Sequence, residues 1–212
     1  MEITWYGHAC FRLSERGVVI VTDPVGEHLA YARPRIRADV VTISHDHPGH
    51  NNPVGFRGGP RFFDAPGEYE VKGIFINGIA TYHDSHSGAT HGRNVVFLFD
   101  LDGITVCHLG DLGHVPTQAQ VELLSDVDVL LIPVGGVHTL DAAKAAEVIT
   151  LLEPRIVIPM HYKTPKETTA LHTIDKFFKE IGRDRGPALS ELKIAKSSMP
   201  EETEIILLEL AS

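Results

Sequence analysis

The apolar run Val40-Val41-Thr42-Ile43 stops at Ser44-His45-Asp46-His47-Pro48-Gly49-His50, which holds three imidazoles in six residues. A run so short and so rich in β-branched residues reads as a buried strand rather than a helix. Pro48-Gly49 supplies a sharp turn on which the three rings can converge. Neutral imidazole is the commonest protein ligand for metals and suits zinc, iron and manganese. A histidine-rich surface loop is the plainer alternative, and it asks nothing of the rest of the chain.

The rest of the chain repeats the pattern. His83 closes the run Ile74–Tyr82, Asp111 follows the strand-like Thr105–Leu109, and His161 follows Ile156–Pro159. With the first cluster, four strand ends carry a histidine or an aspartate. A carboxylate on the glycine-flanked turn Gly110-Asp111 can bridge two cations, which a single imidazole nitrogen does poorly. The sequence holds 13 histidines in 212 residues, and its 19 Lys and Arg against 28 Asp and Glu give a net charge of −9. That balance disfavours a nucleic-acid binder working through clustered cations, although Arg33, Arg35 and Arg37 form a local basic stretch. Cys10 and Cys107 are too few for a disulfide framework. There is no leader-like start and no apolar stretch of membrane-spanning length, which predicts a cytoplasmic protein.

Strands are expected at Ile3–Tyr6, Cys10–Leu13, Val18–Thr22, Val40–Ser44, Arg61–Phe63, Ile74–His83, Val95–Asp100 and Ile104–His108. Beyond Asp111 the texture changes to alternation. A helix near Thr117–Leu124 precedes a strand at Asp128–Ile132, and a helix over Leu140–Leu152 precedes a strand at Ile156–Pro159. A helix over Pro165–Ile181 and strands at Leu192–Ala195 and Glu204–Leu210 close the chain. The length and the lack of a linker predict one α/β domain over residues 1–212.

The motifs, in order, resemble the metallo-β-lactamase superfamily, and within it the small-hydrolase branch of ascorbate-6-phosphate lactonase-like proteins. They are Trp5-Tyr6-Gly7-His8-Ala9-Cys10-Phe11, Thr22-Asp23-Pro24, the His45–His50 cluster, His108–His114, Pro133-Val134-Gly135-Gly136 and Ile158-Pro159-Met160-His161-Tyr162. The resemblance implies a four-layer αβ/βα sandwich with metal ions in a cleft along one edge of two facing sheets. It implies His45, His47 and His83 as ligands of a first metal, Asp111 as the bridge, and His50 and His161 as ligands of a second. Asp23 matches a buried acidic position that orients the histidines. The implied cofactor is one or two Zn²⁺ ions, with Mn²⁺ or Fe²⁺ as alternatives.

One position departs from that pattern. The family cluster reads His-x-His-x-Asp-His, and Gly49 stands where the aspartate belongs, so a charged ligand of the second metal is missing. Asp46 occupies the spacer position that points away. Glu68, in Ala65-Pro66-Gly67-Glu68-Tyr69, is a candidate stand-in, with a simple turn as its alternative. Gly49→Asp is therefore expected to tighten the second metal, unless Glu68 or a water fills the gap.

The implied activity is hydrolysis of a small ester, lactone or phosphoester by metal-bound hydroxide. Asp111 would hold the nucleophile, and His138 would bind an oxyanion or protonate a leaving group. A phosphodiesterase or ribonuclease of the same fold, and a metal-binding sensory protein without turnover, are the alternatives. His8 either approaches the metals or ties two hairpins together. His28, His91 and His172 read as surface residues.

Overall fold

The computed structural model describes residues 1–31 and 36–211. Arg33 and Arg35 of the basic stretch lie outside them. Arg37 is exposed and has Asp39 Oδ1 at 3.6 Å, so it pairs with a carboxylate of its own chain.

The strands β1 (Glu2–Gly7), β2 (Cys10–Glu15) and β3 (Val18–Thr22) form an antiparallel meander. The short strands β4 (Val40–Thr42) and β5 (Arg61–Phe63) then add in parallel. A second sheet begins with the antiparallel strands β6 (Gly67–Val71), β7 (Ile74–Tyr82), β8 (Arg93–Leu101) and β9 (Ile104–His108). Helix α1 (Gln118–Leu123) leads to β10 (Val129–Pro133), and α2 (Ala142–Leu152) leads to β11 (Ile156–Met160), each new strand parallel to the last. After α3 (Ile174–Ile181), β12 (Ala188–Leu189) pairs with β15 (Leu207–Leu208), β13 (Leu192–Lys193) returns to β1, and β14 (Glu204–Ile205) joins β11. The strand orders are β13-β1-β2-β3-β4-β5 and β14-β11-β10-β9-β8-β7-β6.

Burial explains this pattern. Strand β1 alternates, with Ile3 and Trp5 buried, because only one of its faces meets the core. Strands β10 and β11 are buried at every position, as central parallel strands covered on both faces must be. Phe11, Leu13 and Ile20 of the first sheet share one apolar cluster with Phe97, Phe99 and Leu131 of the second. Helices α2 and α3 insert Ala145, Val148, Phe177 and Phe178 into that cluster. The opposite side of the first sheet is covered differently. There Val25, Leu29 and Tyr31, from an irregular segment, pack on Cys10, Val21 and Val41.

Three expectations need correction. The strand expected over Glu204–Leu210 is split into β14 and β15, because its backbone turns from β11 to pair with β12. The helix expected over Pro165–Ile181 begins only at Ile174. The stretch before it carries Pro165, which disfavours helix at Thr164, and Thr168-Thr169, whose backbone is captured when Thr169 N donates to Glu167 Oε1 at 3.0 Å. Glu68 lies on strand β6, opposite Asn77, and points to solvent. It therefore cannot stand in for the missing aspartate. That strand escaped notice because only Tyr69 and Val71 of its five residues turn toward the core. The N-cap of α2 is Asp141, whose side chain accepts from Lys144 N at 2.9 Å. No helix among the described residues is long and apolar enough to cross a membrane.

Candidate metal centre

Five strands point their carboxyl ends at one cleft. His8 follows β1, His45 lies just past β4, His83 follows β7, Asp111 lies just past β9 and His161 follows β11. Asp111 Oδ2 is the hub of the group. The Nε2 atoms of His83, His50, His161 and His45 stand 3.1, 3.2, 3.3 and 3.8 Å from it. Asp111 itself is held by Asn94, whose Oδ1 accepts from Asp111 N at 2.9 Å while its Nδ2 donates to Thr81 Oγ1 and Leu109 O. Gly110 makes this turn close: φ is +56°, and a Cβ there would stand 2.5 Å from both Asn94 Oδ1 and Ser44 Cβ.

For three of these rings a partner on the far side sets which nitrogen faces the cleft. His50 donates from Nδ1 to Asp23 Oδ2 at 2.8 Å, and Asp23 is fully buried. Ser44 Oγ gives its one proton to Asp23 Oδ2, so toward His45 Nδ1, 2.9 Å away, it can only accept. His83 donates from Nδ1 to the carbonyl of His138 at 3.2 Å. In each case Nδ1 is engaged on the far side and Nε2 faces the cleft, where a metal ion would displace any proton that Nε2 holds, the orientation that ligating histidines require. His47 is reversed, because its Nδ1 accepts from Gly49 N at 3.1 Å.

The electrostatics follow from packing many imidazoles around few carboxylates. Burial, reinforced by His50, pushes His45 down to about 3, so that ring is neutral. Burial opposes a charge on His50 too, but the carboxylates of Asp111 and Asp23 outweigh it and raise His50 to about 10. Burial likewise opposes the charge of Asp111, yet His161 and His50 hold its carboxyl well below the usual range. His45 Nε2, His50 Nε2 and Asp111 Oδ1 are buried without a hydrogen-bond partner. Such orphans are costly. A cation among them would use all three, so the donor set fits a divalent metal ion. Three groups of donor atoms lie within 4.8 Å of one another: His45, His83 and Asp111; His45, His47 and His50; and His8, His50 and His161.

All six residues expected to bind metal thus border one cleft, with His47 the most exposed of them and grouped with His45 and His50 rather than with His83. His138 sits exposed at the rim, its ring 4.5 Å from that of His91. Asp46 is exposed and accepts from Asn51 Nδ2 at 2.9 Å. His28 and His91, read as surface residues, both line the cleft. His91 is brought there by Asp84, whose carboxylate collects the backbone N–H groups of His86, Gly88, Thr90 and His91 at 2.7–2.9 Å. Those bonds, that of His91 first, hold the Asp84 carboxyl well below its usual range. Sequence reasoning missed Asn94 and Glu167. An asparagine in the apolar run Val95–Phe99's leading edge, and a glutamate among threonines, were the only signals.

Residues 2–161 match the sequence profile of the β-lactamase superfamily domain. The chain belongs to the metallo-β-lactamase superfamily. A UPF0173 metal-dependent hydrolase of Thermoplasma acidophilum is 30% identical over 190 residues, covering 77% of this chain and 84% of the relative. A UPF0173 protein of Pyrococcus furiosus is 30% identical over 209 residues, covering 87% and 92%. The crystal structure of a protein assigned as a Zn-dependent hydrolase of the superfamily, from Thermotoga maritima, is 41% identical with a TM-score of 0.82, covering 98% of this chain and 97% of that one. The two facing mixed sheets with their few helices are thus the metallo-β-lactamase α/β sandwich.

Proposed function

We propose that this chain is a metal-dependent hydrolase of a small ester, lactone or phosphoester. One observation carries the reading: four imidazole nitrogens meet a single carboxylate oxygen, Asp111 Oδ2, inside a cleft of about 320 Å³. That volume is at the small end of ligand pockets. No Lys or Arg side chain among the described residues lines it, which suits a small molecule better than a polyanion.

A bound divalent cation would supply water activation near neutral pH and polarisation of the scissile carbonyl or phosphoryl. Zn²⁺ is the natural first choice for this donor set, and Mn²⁺ or Fe²⁺ fit it as well. His45, His47 and His83 would hold one ion, His50 and His161 the other, with Asp111 between them. Asp111 also stands ready to orient a water by its buried carboxylate. His138 is placed to meet a substrate from the cleft mouth. Burial and the nearby His91 hold its pKa below the ordinary value, so at neutral pH its ring can accept a proton.

Metal content and turnover test this together. Protein purified without a polyhistidine tag should carry metal by elemental analysis. It should also hydrolyse at least one member of a panel of lactones, aryl esters and phosphodiesters, losing that activity with chelator and regaining it with Zn²⁺ or Mn²⁺. Failure to bind metal after titration would overturn the reading. Tight metal without turnover would favour a binding protein instead.

A further inference from the structure

Position 49 is a glycine without a backbone reason to be one, since it does not adopt the positive φ that favours glycine. What the missing side chain leaves is space, and His8 fills it. A Cβ at Gly49 would stand 3.2 Å from His8 Nε2 and 3.1 Å from His47 Nδ1. The direction in which the family's aspartate would reach is therefore taken by an imidazole that follows β1, across β2 and β3 in the same sheet.

His8 is built to stay there. It leaves β1 in the left-handed region, φ 53°, and its carbonyl accepts from both Trp5 Nε1 and His161 N at 3.1 Å. Its ring centroid lies 4.0 Å from that of His161 and 4.6 Å from that of His50. Donor atoms of these three histidines lie within 4.8 Å of one another. Behind the ring, Nδ1 donates to Glu167 Oε2 at 2.8 Å, and Glu167 is only 3% exposed. Tyr31 Oη donates to the same oxygen at 3.2 Å, and Thr169 donates to the other. With its proton committed to Glu167, His8 presents Nε2 to the cleft as a lone pair.

We propose that His8 is a ligand of the second metal, acting through Nε2 with His50, His161 and Asp111 in place of the absent aspartate, and that Glu167 is its positioning residue. The exchange keeps the charge balance. The carboxylate lost from the metal returns one ring further out, hydrogen-bonded to the imidazole, where it raises the basicity of the ligand. It also reverses the expectation for Gly49→Asp. With His8 in place the new side chain meets Nε2, so that substitution alone should weaken the second metal rather than tighten it.

The proposal rests on the cleft being a metal centre, and the test separates the two ideas. Chelator-stripped full-length chain is titrated with Zn²⁺, and separately with Co²⁺ followed by its visible absorption. The parent protein should bind two ions. His8→Ala should bind one, at unchanged first-site affinity, which also shows that the variant is folded. Glu167→Gln should bind two, with the second weakened about 10–100-fold. His8→Ala combined with Gly49→Asp should regain the second ion, because the aspartate then has room. A His8→Ala variant that binds two ions as tightly as the parent would overturn the role of His8. So would a parent protein that saturates at one ion, although the metal reading would then stand. No binding at all would overturn both.

Discussion

The two sides of the cleft are backed by different chemistry. On one side His45 leans on a serine hydroxyl and His83 on a backbone carbonyl, both neutral acceptors. On the other side His50 leans on Asp23 and His8 on Glu167, both buried carboxylates. The first side receives its negative charge directly from Asp111. The second side shares that oxygen and takes its remaining charge at one remove, through imidazole rings. Negative charge near a metal therefore need not sit on a ligand atom, and a lost carboxylate ligand can be offset by a carboxylate behind a histidine.

Removing the element common to both sides should have the largest effect. Asp111→Ala should abolish binding of both ions and reduce hydrolysis to background, measured by elemental analysis and steady-state assay. Retention of one ion would show the sides to be independent. Next, Asp23→Asn should weaken the second ion most, by about 10–100-fold, since it withdraws the charge directly behind His50, and the first ion less, because it reaches His45 only through Ser44 Oγ. An equal loss at both sites in a Co²⁺ titration would break the comparison.

Acid and base should then act on opposite members of the second side in the metal-free protein. His8, held down to about 3 by burial and His161, cannot take the proton that the unfolded chain takes near 6.5. Glu167 is opposed by burial, but its bond from His8 outweighs that and lowers it to about 2 from 4.5. The unfolded state binds more protons in both windows, so the contribution of His8 is present above 6.5 and is lost as the pH falls to about 3, and that of Glu167 is present above 4.5 and is lost as the pH falls to about 2. His50, raised to about 10, runs the other way: its contribution is full below 6.5 and is lost as the pH rises through 10. Urea midpoints should therefore peak near neutrality, and a flat profile from pH 4 to 9 would contradict the assignment. The smallest effect belongs to Asn94→Ala. It leaves the Asp111 backbone N–H unpartnered and should cost about 1–3 kcal/mol of stability by chemical denaturation.

How much of this was legible in the sequence follows from how local each signal is. Strand ends carrying His45, His83, Asp111 and His161 could be read because apolar runs and their polar stops are contiguous in the chain. The family pattern of motifs added the assignment of each ligand to one metal or the other. Glu167 is not legible, because its partner His8 is 159 residues away and the stretch around it, from Pro165 to Thr169, reads as the start of a helix. Glu68 was misplaced for the related reason that a half-polar edge strand resembles a turn. The irregular cover over Val21 and Val41 was equally hidden, since nothing in residues 25–31 has a period.

The hydrogen bond between His8 and Glu167 also says when the cleft can exist. Its two ends follow the first strand and the eleventh, so nearly four-fifths of the polymer must be made before they can meet. A chain growing from its amino terminus can fold its first meander early, but at that stage His8 has neither His161 nor Glu167 beside it. Capture of the second ion is thus a late event in biosynthesis, and a truncated product would be left without the grip that marks a finished one.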